Sequence, residues 1–102
     1  MNAKAVLLRT RELLADPAHW IQHDFAFDGT GDACDALDPN AEKWCLEGAI
    51  IRAISDVSPE FEFNTAILGF PVRGDIPHWN DQFKRTHAEV LVRIDAAIEN
   101  LK

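Results

Sequence analysis

Lysine and arginine form no run anywhere in this 102-residue chain, and its formal charge is −7. Such a field repels a phosphate backbone, so nucleic acid is disfavoured as a partner. Nor is there a stretch of about 18 apolar residues, the length a membrane-spanning helix requires. The first amphipathic segment starts without a signal-peptide core, and the expectation is a soluble cytoplasmic protein with no membrane partner. Cysteine is scarce: Cys34 and Cys45 are the only two. One pair at this spacing matches no zinc pattern and builds no disulfide framework, and a cytoplasmic compartment keeps both as free thiols. No internal repeat, low-complexity tract or linker divides the chain, so residues 1–102 read as a single domain.

What is present is core material. Apolar residues make up 47% of the chain and charged ones 26%, a balance too apolar for disorder. A domain of this size buries roughly two-thirds of the surface of its unfolded chain. It needs neither metal nor disulfide to fold, and no cofactor is expected.

Taken in order, residues 3–15 carry Ala3, Val6, Leu7, Thr10, Leu13 and Leu14 on one side of a helix, which Asp16-Pro17 stops. From Ile21 to Phe27 the apolar period changes to two, and Asp28-Gly29-Thr30-Gly31-Asp32 signals a turn back through Ala33 and Cys34. That reads as a short hairpin. Asp38 as N-cap and Pro39 in the first turn then open a helix running to about Asp56. Its apolar residues, Ala41, Trp44, Cys45, Leu46, Ala49, Ile50, Ile51, Ala53, Ile54 and Val57, surround most of the circumference, the mark of a buried helix. Gly48 in its interior lowers helix propensity by about 1 kcal/mol, which predicts close approach by a neighbouring backbone or large ring.

Ser58-Pro59 repeats the start signal, and Phe63, Ala66, Ile67 and Phe70 follow at helical spacing, predicting a third helix over 59–69. Ile76, Trp79, Asn80 and Phe83 share a spacing that predicts a short helical turn near 76–81. Thr86-His87-Ala88-Glu89 has capping-box spacing, and a last helix over 87–101 follows with His87, Leu91, Ile94, Ala97, Ile98 and Leu101 in one stripe. The expected fold is mainly α. About four helices are expected, the first, third and fourth packed around the buried central one, with a β-hairpin between the first two.

Three stretches carry a resemblance: Trp20-Ile21-Gln22 ahead of an Asp-Gly turn, Trp44-Cys45-Leu46-Glu47-Gly48-Ala49-Ile50, and Trp79-Asn80-Asp81 followed by Thr86-His87-Ala88-Glu89-Val90. Together they resemble a family of small uncharacterised bacterial proteins, also met in phage genomes. Its pattern runs Trp-x-Gln, Cys-x-x-Gly-Ala, Trp-Asn-Asp and a closing Thr-x-x-Glu-Val helix, and the similarity covers residues 5–98. The family often has glycine after the Gln, where this chain has His23. The resemblance implies a class of protein of unknown function and supplies no catalytic role.

Residue chemistry leaves two functional expectations. The first is a non-enzymatic interaction or accessory protein that meets a protein partner through Trp20, Gln22, Trp79, Asn80 and Asp81, near the hairpin; by the resemblance alone it is associated with phage or other mobile elements. The second is a cysteine-dependent hydrolase. In it Cys45 near a helix N-terminus is the nucleophile, His87 or His78 the base, and Asn80 or Asp81 the orienter. Against it, Cys45 lies in the most apolar stretch, where free cysteine usually serves as a small buried hydrophobe. His19 and His23, four apart, are too far separated along an extended chain to share zinc, and the aspartates from Asp24 to Asp38 match no EF-hand loop. Apolar surface on the last helix also allows a homodimer.

Overall fold

Helix α1, Ala3–Leu14, is the frame on which the other elements are laid, and it buries Ala3, Val6, Leu7, Thr10 and Leu14. The protein is described from a computed structural model that covers residues 2–64, 68–70 and 76–101. Thr10 is tolerated inside the core because its hydroxyl donates back to the Val6 carbonyl at 2.8 Å. A single 3₁₀ turn, Pro17–His19, follows, capped by the Asp16 carboxylate accepting from the Ala18 amide.

Three short strands come next, β1 (Ala26–Asp28), β2 (Ala33–Cys34) and β3 (Ala41–Trp44). They form an antiparallel sheet in the order β2-β1-β3, with Ala26 opposite both Cys34 and Trp44. The sequence pattern predicts only two strands, with Ala41–Trp44 inside a helix. The third strand exists because β1 has a second edge, and Ala41 and Trp44 can turn inward while Glu42 stays in water. A bulge between Phe27 and Asp28 absorbs the odd spacing.

Helix α2 consequently begins at Leu46 and ends at Val57. Its N-cap is Cys45 in place of the expected Asp38, whose carboxylate instead accepts from the Asn40 amide in a local turn. α2 packs along α1 and buries Leu46, Gly48, Ala49, Ile50 and Ala53, but Ile51, Arg52 and Ile54 remain partly open. It is therefore one wall of the core and not an enclosed hub. Ser58 ends α2 by donating its amide to the Ile54 carbonyl, and residues 61–64 are irregular where a third helix is predicted. Residues 65–67 of that expected helix lie outside the described residues.

Helix α3 is short, Ile76–Asn80, and α4 spans His87–Asn100 behind a complete capping box of Thr86 and Glu89. α4 lies against α1 and makes no extended contact with α2. Its buried face is Val90, Ile94 and Ala97, rotated slightly from the expected stripe.

The predicted close approach at Gly48 is real: a Cβ there would stand 2.1 Å from the Phe25 carbonyl oxygen. Neither backbone can retreat, because the same carbonyl accepts from the Cys45 amide at 3.2 Å. Gly48→Ala is expected to lower unfolding free energy by about 2–3 kcal/mol through overpacking. Gly29→Ala, which meets only the flexible end of Glu42, should change it by less than about 1 kcal/mol in the same urea titration.

Candidate functional site

Asn80, the last residue of α3, is fully buried, with 0% exposure. A buried amide is tolerated only when each of its polar atoms is paired. Its Oδ1 accepts from Trp20 Nε1 at 2.7 Å and from the Leu46 amide at 3.0 Å. Its Nδ2 donates to the Ile21 carbonyl at 3.1 Å and to Asp81 Oδ1 at 2.9 Å. One side chain thus ties α3, the start of α2 and the segment before β1. Leu46 is the first residue of α2, so this contact also satisfies an amide the helix cannot pair internally.

Around this anchor two loops are held side by side. Ile21 donates its amide to Trp44, and Phe25 accepts from Cys45, so residues 22–24 are pushed out of line with the sheet. The expected strand over 21–27 shrinks to 26–28 for that reason. Gln22 Nε2 donates to the carbonyls of Asn80 and Gln82, and the His23 amide donates to Asp81 Oδ1 at 2.9 Å. His23 sits at φ +75°, in the left-handed region that glycine enters freely. That is the position where the resembled pattern often has glycine.

Between the loops lies a cleft of about 220 Å³ lined by His23, Asp24, Phe25, Cys45, Pro77 and Asp81. Cys45 is its most buried member, 5% exposed, and its sulfur accepts from the Gly48 amide at 3.3 Å as the N-cap of α2. Two effects compete at this thiol. Burial favours the neutral form, while the Gly48 and Glu47 amides favour the thiolate. Burial prevails, with help from the Asp81 and Glu47 carboxylates, and the thiol is pushed up to about 11.

Of the predicted site residues, Trp20, Gln22, Asn80 and Asp81 come together, and Cys45 joins Asp81 in the cleft. Cys45 is core filler on one side only: it also faces a cleft beside the His23 imidazole, which departs from the expectation of a wholly enclosed sulfur. The proposed bases are elsewhere. A ring nitrogen of His87 lies 2.6 Å from the Leu14 carbonyl, and neither His87 nor His78 lines the cleft. Trp79 turns the other way. The Arg85 guanidinium lies 4.1 Å from its ring centre, in a groove shared with Arg93, Glu89 and Val92.

Sequence reasoning missed Phe25, His23 and Phe83. The spacing puts Phe83 in one helical series with Ile76, Trp79 and Asn80, yet Ile76 and Asn80 are buried and Phe83 is 91% exposed. The helix stops at Asn80 and the chain turns through Lys84 at φ +68°, which breaks that spacing. The Asn80-Asp81 pair, a poor helix continuation, was the available signal.

A sequence model of DUF6197, a family of unknown function, matches residues 1–100. The chain belongs to this family. No curated protein and no solved structure matches it. In this DUF6197 chain the three stretches that carry the resemblance converge on Asn80, through Trp20 and Gln22, Leu46, and Asn80 itself. No helix among the described residues is long and apolar enough to cross a membrane.

Two outcomes are expected. Asn80→Ala strands the Leu46 amide and the Trp20 indole N–H in the interior, and should cost about 3–4 kcal/mol in a denaturant titration. The second concerns Cys45. A thiol held at about 11 in the native state keeps its proton where the unfolded chain has lost it, so stability declines as pH rises from about 9 to about 11. Thermal melts of Cys45→Ala should lack that part of the decline.

Proposed function

We propose that this protein is a non-catalytic interaction module that binds a protein partner through the face formed by residues 22–25 and 81–84. The observation that carries the reading is Phe83, 91% exposed on the hydrogen-bonded loop after α3. Gln22 holds the Gln82 carbonyl from one side, the Arg85 amide holds it from the other, and Arg85 Nε donates to the Trp79 carbonyl. A ring fixed in water gains about 2–3 kcal/mol when a partner covers it, at little further entropic cost. Phe25 is a second exposed ring, on the neighbouring loop. His23 and Lys84, the non-glycine residues at positive φ among those described, fall one on each loop, and such backbone is commonly retained where a surface is used.

In this reading Trp20, Asn80 and the amide of Gln22 build the face and do not touch the partner. Trp79 belongs to a different groove. A hydrolase draws less support, because a thiol near 11 is ionised in only about one molecule in ten thousand at pH 7. A homodimer through α4 is also less favoured, since Val92 is the large apolar side chain of that helix left exposed among the described residues.

The test is a panel of peptides selected against the folded protein from a random displayed library. Phe83→Ser should leave the urea midpoint within about 0.5 kcal/mol of the parent, as befits a surface position, and weaken the selected peptides at least about tenfold. Peptides that bind parent and variant equally would remove this face from consideration.

A further inference from the structure

We infer that the cleft lined by Asp24, Phe25, Pro77 and Asp81 receives a cationic side chain, the lysine or arginine of a partner segment. This rests on the binding face proposed above and specifies what enters it. At about 220 Å³ the cleft is below the roughly 300–1,000 Å³ typical of small-molecule sites, and suits one side chain. Its lining is of two kinds. Phe25 and Pro77 offer apolar walls for a methylene stem, while the Asp24 and Asp81 carboxylates are placed for its charged head.

Both carboxylates have capacity to spare. Asp81 spends Oδ1 on the His23 amide and Asn80 Nδ2, whereas Oδ2 accepts no hydrogen bond from the described residues and has only His23 Nδ1 at 3.9 Å. Asp24 has neither a hydrogen bond nor an ion pair among the described residues and is exposed to solvent.

The positive groups nearby do not reverse the sign. The α2 N-terminus is capped by the Cys45 sulfur and carries Glu47 in its first turn. The Lys84 ammonium rests 5.7 Å from the centre of the Phe83 ring, and Arg85 pairs with Glu89 at 3.1 Å. His23 also lines the cleft, with Nδ1 3.9 Å from Asp81 Oδ2. A chain of net charge −7 adds a long-range field in the same direction. Anionic ligands are therefore disfavoured, and a basic residue flanked by an apolar one suits the cleft together with the loop that carries Phe83.

The displayed-peptide selection tests this when its products are sequenced and then measured by fluorescence anisotropy at low and high salt. Enriched peptides are expected to share a lysine or arginine. Their affinity should fall with salt, fall about fivefold in Asp24→Asn, and fall further in Asp24→Lys. Urea midpoints unchanged in both variants confirm that the fold is intact. Peptides that need Phe83 but lack a shared basic residue, or that bind Asp24→Lys as well as the parent, would overturn the cation while sparing the face. A selection that yields no Phe83-dependent peptide would overturn both.

Discussion

The four hydrogen bonds of the Asn80 side chain are the constraint on which the rest of the site depends. Trp20 and Ile21, Leu46, and Asp81 belong to three separate stretches, and one buried amide holds them in register. In a dry interior each bond is stronger than in water, and each unmade one is costly. This makes the arrangement close to all-or-none. Replacing asparagine with a carboxylate or a hydrocarbon would keep the volume and lose the pattern of two acceptors and two donors.

The second constraint is the crowded start of α2. Gly48 lets the Phe25 carbonyl approach, the Phe25 carbonyl accepts from Cys45, and Cys45 caps Gly48 with its sulfur. Each residue excludes alternatives for the next. The same closure that fixes the cleft also buries the thiol at the N-cap of α2, so it keeps its proton at neutral pH. A cysteine at a helix N-terminus is thus no guide to reactivity until its burial is known.

Much of the fold was legible from local signals. The Thr86–Glu89 capping box, the Asp16-Pro17 stop, the Asp28–Asp32 turn and the anomaly of Gly48 all act over a few residues, and the structure shows each one. The errors share another character. Ala41–Trp44 carries apolar residues that suit a helix as well as a strand, and only the free edge of β1 selects the strand. Residues 22–24 alternate like a strand, but bonds to Asn80 and Asp81, nearly sixty positions away, pull them out of the sheet. Of the expected surface, Trp20, Gln22, Asn80 and Asp81 lie together, whereas Trp79 faces another groove. The exposed rings were not legible, because exposure is a property of what fails to pack nearby.

Composition and the short-range punctuation of this chain were enough to indicate a mainly helical fold. They could not say which apolar residues face inward. Hydrophobic periodicity names a face, whereas burial depends on which other element arrives there, and that is settled by long-range hydrogen bonds and packing that no local window contains. Hence Phe83 stands in water, and Cys45, buried as expected, also lines a cleft.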